Sequence, residues 1–221
     1  MSETAPEDDT DDVRRAALIL ALRQRGIRDP RLMRVLETVP RERFVAPEYR
    51  ALAYADQALP IACGQTISQP VVVALMTERL DLQPRHSVLE VGTGSGYHAA
   101  ILSRLAGRVV TVERFRGLAR SAGERLKELG FDNVEVRLAD GTFGDPARAP
   151  FDRIVVTAAV PELPPALLAQ LLPGGVLVAP VGPAEGPQRL IRFERTPEGL
   201  TQRDVMAVRF VPLLPGVAAV L

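Results

Sequence analysis

Between Glu90 and Tyr97 the chain reads Glu-Val-Gly-Thr-Gly-Ser-Gly-Tyr, three glycines in a one-apart rhythm directly after a short apolar run. Glycines there let a backbone approach a ligand closely, and the free N–H groups of a following helix favour negative or polar groups. Glycine-rich stretches also serve as plain turns, so the loop by itself decides little. Two acidic residues give it context. Glu113 ends the next apolar run, about twenty residues on, where a carboxylate can accept hydrogen bonds from ribose hydroxyls. Asp140-Gly141 ends the third run and is placed to receive an adenine amino group. Singly, Glu113 reads equally well as a solvated charge and Asp140 as a turn former before glycine. At three successive strand ends, they read together as a nucleoside site.

What the loop lacks narrows the ligand. A dinucleotide fingerprint would place its third glycine at position 97, where this chain has Tyr97, and that disfavours a nicotinamide cofactor. No Walker sequence with lysine followed by serine or threonine is present, which argues against a triphosphate. A second group with chemical potential is Thr66-Ile67-Ser68-Gln69-Pro70. A hydroxyl at a helix start, such as Ser68 before Pro70, can hold one oxygen of a carboxylate and orient the other; it can equally be the cap of that helix.

The elements that must carry these residues follow from hydrophobic spacing. From His86 onward strand and helix alternate: strands at 87–91, 108–112, 134–138, 153–157 and 176–180, with helices at about 97–105, 115–129 and 164–172. Such alternation predicts an α/β, doubly wound, mostly parallel sheet covered by helices on both faces. Two further strands, 189–195 and 204–211, flank a Pro197-Glu198-Gly199 turn and predict an antiparallel C-terminal pair. Ahead of the sheet, helices are expected at 13–24, from an Asp29-Pro30 start to Pro40, and from Gln69-Pro70 to about Leu80. The segment 41–65 has no clear period and reads as loop with short helices. One domain, 13–221, is expected, with 13–85 as a helical and substrate-loop region and 86–221 as the cofactor-binding sheet. Ser2 to Asp12 is acidic without a large apolar side chain and reads as a disordered tail, residues 1–12.

Composition excludes several classes. The 221 residues hold 27 Lys plus Arg against 27 Asp plus Glu, so no net field gathers nucleic acid. Cys63 is the single cysteine, which rules out an intramolecular disulfide and a cysteine-built zinc site. It has no evident partner as a nucleophile, and His86 and His98 without a carboxylate cluster make no metal site. The expected protein is cytoplasmic and monomeric, without a membrane span, a metal or a nucleic-acid partner.

Glu90 to Gly96, with Glu113 and Asp140, resembles the cofactor site of class I S-adenosylmethionine-dependent methyltransferases. A narrower likeness rests on Ala58 to Pro70 (ALPIACGQTISQP), Val39 to Val45 (VPRERFV), Ala149 to Asp152 (APFD), Val156 to Ala159 (VTAA) and Val208 to Leu213 (VRFVPL). In that order these stretches resemble the protein-L-isoaspartate O-methyltransferase family from about Val13 to Leu214. The resemblance implies S-adenosyl-L-methionine as cofactor and damaged proteins or peptides carrying L-isoaspartate as partners. It implies Ser68 as the active-site serine with Thr66 beside it. Cofactor contacts are implied at Glu90, Gly92, Thr93, Gly94, Ser95, Glu113, Asp140 and Gly141, with Gln69, Pro70 and Val71 also lining the cofactor. The acceptor is implied to thread between Ile61, Gln65 and Ile67 of the loop and Val208, Phe210, Val211 and Pro212 near the C-terminus.

The chemistry agrees with that likeness. A carboxylate is already ionised at neutral pH, so methylating it requires alignment and exclusion of water rather than a strong base, and no catalytic dyad is expected. The alternatives are a related methyltransferase with another acceptor and a non-catalytic peptide-binding module. The chain departs from the family pattern at Ala62, Val71, His98 and Ala139, where glycine, an aromatic residue or histidine, glutamine, and glycine respectively are usual.

Overall fold

A computed structural model describes residues 7–218. Helix α1 spans Glu7–Gln24, six residues longer at its start than expected, so the acidic stretch from Glu7 is helical rather than a disordered tail. Acidic groups complement the positive end of the helix dipole, and Asp11 and Asp12 stand 3.2 and 3.4 Å from Arg14 and Arg15 one turn on. The first six residues of the expected tail lie outside the described residues. Leu18, Ile19 and Leu22 form the buried stripe of α1.

Helix α2, Pro30–Thr38, starts as its sequence dictates: the Asp29 carboxylate accepts the Arg31 N–H at 2.8 Å, with proline in the first turn. Such a cap stabilises a helix by about 1 kcal/mol. Short 3₁₀ turns at Arg41–Phe44 and Pro47–Leu52 follow, then a two-residue ladder of β1 (Leu59–Pro60) and β2 (Thr66–Ile67). Its pairs, Leu59 with Ile67 and Pro60 with Thr66, close the intervening loop, and the Ile61 N–H donates to the Gln65 carbonyl at 2.9 Å. Helix α3, Pro70–Leu80, leads into the sheet.

The sheet strands are β3 (Ser87–Val91), β4 (Arg108–Glu113), β5 (Val134–Leu138), β6 (Phe151–Val156), β7 (Leu171–Val181), β8 (Gln188–Thr196) and β9 (Gly199–Val208), with helices α4 (Tyr97–Ser103), α5 (Arg116–Glu128) and α6 (Pro165–Ala169) between them. Their order is β5-β4-β3-β6-β7-β8-β9. Pairs from β5 to β7 are parallel, and those from β7 to β9 antiparallel. Residues alternate between two buried clusters: Val88, Val109 and Val155 pack against the N-terminal helices, while Leu89, Val110 and Ile154 join the opposite layer. The chain runs outward through β3, β4 and β5, then returns to the other side of β3 with β6. That reversal is the switch point outside which doubly wound sheets bind ligands.

Several boundaries differ from expectation. Helix α6 ends at Ala169 instead of near Leu172, because Leu171 already pairs with Phe151 of β6. Strand β6 accordingly begins at Phe151. Strand β9 starts directly after the tight turn, where Thr196 pairs with Gly199, and ends at Val208 rather than Val211. The Phe210 N–H donates to Gln188 Oε1 at 2.8 Å, and the following backbone bonds Ala159, with Ala159 N–H to Val211 O at 2.8 Å and Leu213 N–H to Ala159 O at 2.7 Å. Val211 to Leu213 are thereby carried across the sheet ends. No described helix is long and apolar enough to cross a membrane.

Candidate functional site

The carboxyl ends of β3, β4 and β6 open into a cavity. Gly92 to Ser95 line one side, continuing from Val91 of β3, and Glu113 lines it from the end of β4. Thr157, just past β6, donates its hydroxyl proton to the Gly92 carbonyl at 2.7 Å, shared with the Val91 carbonyl at 3.0 Å, and so pins the glycine loop. Gly92 and Gly94 take left-handed conformations, with φ +101° and +54°, which a side chain would strain. Val112, Phe115 and Leu213 supply apolar walls, and Gly141 lies among the lining residues.

Glu113 sits where a diol could be bound. Its Oε2 accepts the Gly94 N–H at 2.9 Å and its Oε1 the Phe115 N–H at 3.0 Å. Each oxygen keeps a second lone pair. A carboxylate acceptor beside an apolar slot and a bare backbone loop fits the ribose, base and polar tail of a nucleoside cofactor.

Glu90, expected among the cofactor contacts, does not line the cavity but lies beneath it, 0% exposed. Thr111 Oγ1 donates to its Oε2 at 2.6 Å, and Thr93 Oγ1 is 2.7 Å from Thr111 Oγ1. Burial, with the nearby Glu113 charge adding to it against the Thr111 hydrogen bond, pushes the Glu90 carboxyl up to about 8. Its Oε1 has no hydrogen-bond partner and is 3.8 Å from Nδ1 of His98. The tautomer of His98 follows from proton counting. Thr77 Oγ1 donates its one proton to the Val73 carbonyl at 2.8 Å, so His98 Nε2, 2.9 Å away, must donate to Thr77. Nδ1 is then bare and faces a carboxyl that is protonated at neutral pH. Burial takes the imidazole down to about 3.

This neutral pair predicts two opposed pH slopes. The unfolded chain releases the Glu90 proton above 4.5 while the folded chain holds it to about 8, so its stabilising share is full below 4.5 and lost as pH rises through that window. For His98 the unfolded chain gains a proton below 6.5 and the folded chain only near 3, so stability falls as pH falls through that range. Glu90→Gln is therefore expected to flatten the alkaline decline of the melting temperature, by roughly 2–4 °C for each kcal/mol recovered. A melting series from pH 5 to 8 with the parent's slope in the variant would refute this.

A second cavity lies on the other side of the β1–β2 loop and reaches the end of β9. Val208, Phe210 and Val211 line it, with Gln69 and Val72 from the start of α3. Gln65 and Ile67 line the first cavity, and Pro212 does too. Thr66, Ser68, Thr157 and Val211 line both, so they form the wall where the cavities meet. Neither the Thr66 nor the Ser68 hydroxyl has a hydrogen-bond partner among the described side chains and backbone. Ser68 is not the cap of α3: the cap position is Gln69, and Asp56 Oδ1 accepts the Val71 N–H at 3.0 Å.

Several expected contacts are placed differently. Asp140 does not line the cavity. Its Oδ1 accepts the Thr142 N–H at 2.9 Å and the Thr142 hydroxyl at 2.6 Å, and its Oδ2 accepts the Gly216 N–H at 2.6 Å, so the carboxylate buckles the returning C-terminal segment to the end of β5. Pro70 and Val71 line neither cavity, being turned into the core by the helix they begin; Gln69 lines the acceptor-side cavity. Ile61 is in neither lining but approaches the glycine loop, with its Cδ1 3.5 Å from where a Cβ on Gly94 would stand. Residues that the sequence reading did not place at the site include Thr157, His98, Val112, Phe115 and Leu214. Thr157 had the same signal as Glu113, a polar side chain at a strand end. His98 had only its place in the first turn after the glycines, Val112 and Phe115 only their places beside Glu113, and Leu214 had none, since a return loop brings it in. Among the described residues no cluster of His, Cys, Asp and Glu could hold a metal.

Comparison with known proteins gives one consistent result. The family described as protein-L-isoaspartate(D-aspartate) O-methyltransferase matches residues 13–218. A protein-L-isoaspartate O-methyltransferase of Xanthobacter autotrophicus is 58% identical over 215 residues, covering 97% of this chain and 98% of that one. One from Azorhizobium caulinodans is 55% identical, covering 97% and 99%. Among solved structures, a protein-L-isoaspartate O-methyltransferase superposes with a TM-score of 0.83 at 30% identity, over 92% of this chain and 67% of the other. A Plasmodium falciparum protein described as a putative protein-L-isoaspartate O-methyltransferase, in complex with S-adenosyl-L-homocysteine, gives 0.78 at 26% identity, over 90% and 97%.

Proposed function

The chain belongs to the protein-L-isoaspartate(D-aspartate) O-methyltransferase family, and from that premise we propose that its two cavities are the donor and acceptor halves of one active site. The reaction is methylation of the α-carboxylate of L-isoaspartyl residues in damaged proteins and peptides, which starts their repair. The observation that carries this reading is the shared wall of Thr66, Ser68, Thr157 and Val211. Two ligands on either side of such a wall can meet through it.

S-adenosyl-L-methionine supplies, when bound, a methyl group activated by a positively charged sulfur. Glu113 would hold its ribose, Gly92 to Ser95 its polar tail, and Val112, Phe115 and Leu213 its base. Asp140 contributes by keeping the segment that carries Leu213 in place. On the acceptor side, Ser68 and Thr66 have hydroxyl protons free to donate to one carboxylate oxygen, which leaves the other oxygen to attack. No general base is needed, because the nucleophile is ionised well below neutral pH. The work of the site is alignment and exclusion of water, for which reactions gain most from holding partners at near-attack distance. Val208, Phe210 and Val211 offer an apolar channel to a peptide without demanding a particular side chain, as a repair enzyme meeting damage in many contexts requires.

The product identifies the chemistry. An isoaspartyl peptide incubated with enzyme and S-adenosyl-L-methionine is expected to gain one methyl group that mild alkali removes, as an ester. An alkali-stable methyl group would place the reaction on nitrogen or a hydroxyl and overturn the proposal.

A further inference from the structure

Arg41 is the largest fully buried side chain, at 0% exposure. Its Nε donates to the Ala53 carbonyl at 2.8 Å and its Nη2 to the Ser68 carbonyl at 2.8 Å. The guanidinium lies over the ring of Tyr97, the first residue of α4, with its carbon 4.6 Å from the ring centroid. One side chain thus joins the turn after Pro47–Leu52, the peptide of Ser68 and the helix that follows the glycine loop.

Its charge is unusual for that setting. Nη1 is buried without a hydrogen-bond partner. The Tyr97 hydroxyl is the group that most favours its charge, but burial raises the Tyr97 phenol, which stays neutral and is no counter-charge. Asp56 is the carboxylate whose field reaches it, but Asp56 Oδ1 accepts the Val71 N–H and its Oδ2 stands 3.9 Å from Arg25. Glu42, the next residue in the chain, accepts from the Tyr54 hydroxyl and lies 3.9 Å from Arg15. Burial works against the guanidinium charge, yet arginine does not give up its proton in proteins. Taking a cation out of water without a counter-charge is costly, and donors to two carbonyls need not be charged. A buried positive charge directly behind Ser68 does have a use if an anion binds in front of it.

We infer that Arg41 is a positioning residue for the acceptor carboxylate, fixing the Ser68 peptide and supplying the positive potential that makes the second cavity prefer a carboxylate over its neutral amide. It lines neither cavity, so it acts through Ser68 and through space. The inference rests on the reading of Ser68 as the acceptor-side hydroxyl.

Two peptides separate this role from mere scaffolding: an isoaspartyl peptide with its free α-carboxylate, and the same peptide as the α-carboxamide. Each is titrated by calorimetry into enzyme saturated with S-adenosyl-L-homocysteine, which permits binding without turnover. The parent should favour the carboxylate. Arg41→Met should lower that preference roughly tenfold, the scale of losing a nearby charge at an effective dielectric of about 20, whereas a scaffolding role would weaken both peptides equally and leave the ratio unchanged. Arg41→Lys keeps the charge and should keep the ratio while lowering kcat, since it cannot bridge both carbonyls. If Arg41→Met does not fold, Arg41→Gln, which also removes the charge but keeps a donor amide, takes its place: a lowered ratio supports the inference and an unchanged ratio overturns it. An unchanged ratio in Arg41→Met overturns it as well. A parent enzyme that binds neither peptide while still binding S-adenosyl-L-homocysteine would instead remove the acceptor-site reading on which the inference stands.

Discussion

Replacing Ser68 with alanine is expected to lower kcat/KM for an isoaspartyl peptide by roughly 10²-fold, the scale of losing alignment at a reacting centre. The same change should leave the melting temperature and the affinity for S-adenosyl-L-homocysteine about where they were. The separation follows from the hydrogen bonds around α3. A capping serine would stabilise the helix, and its loss would cost about 1 kcal/mol. Here the capping is done by Asp56, which accepts the Val71 N–H. Ser68 holds its place through its carbonyl, bound by Arg41, and alanine keeps that carbonyl. Activity and stability measured on one preparation decide the matter. A fall in melting temperature that accounts for the lost activity would make Ser68 a structural residue.

Gly92→Ala should produce the largest loss of stability among single-methyl additions to the site. The residue has φ +101°, and its Cβ would be driven into Thr157 Oγ1. Thr157 cannot step aside without giving up its bonds to the Val91 and Gly92 carbonyls. Backbone strain and a displaced neighbour together should cost about 2–4 kcal/mol, or a drop of roughly 5–15 °C in melting temperature. Since the loop itself is displaced, protection against unfolding by S-adenosyl-L-methionine should also disappear. Gly130→Ala is the matched control, with φ +73° and nothing within 4 Å of a Cβ. It should cost only about 1–2 kcal/mol from the left-handed conformation and keep the cofactor's protection. Equal losses in the two variants would show that the glycine loop is not packed as described.

The parts of this site legible in the sequence are those set by local spacing. Strands β3 and β5 run over Ser87–Val91 and Val134–Leu138, where a short apolar run and an apolar alternation respectively place them, and Glu113 and the glycines fall at strand ends. The Asp29-Pro30 start of α2 is likewise a local matter of capping. The rest depends on contacts between distant segments. Asp140 looked free because nothing near it in sequence announces Gly216, 76 residues on, as its partner. The hairpin's last strand stops at Val208 because Gln188 captures the Phe210 N–H, and a side chain 22 residues away leaves no periodic signal. The Glu90–His98 pair arises from α4 folding back over β3, so neither residue alone signals a neutral, buried pair. Arg41 shows the limit most plainly. Nothing in the aperiodic stretch around it marks this arginine as buried, and only the closing of three segments around it makes it a buried cation.

The measurement that tests the central claim most directly uses two peptides that differ in a single linkage, L-isoaspartyl or L-aspartyl, incubated with the enzyme and S-adenosyl-L-methionine labelled in its methyl group. The account predicts alkali-labile label on the isoaspartyl peptide and essentially none on the aspartyl one, with Ser68→Ala reducing the first. Equal labelling of both peptides, or of neither while S-adenosyl-L-methionine still protects the protein against thermal unfolding, would contradict the assignment of the second cavity to an isoaspartyl acceptor.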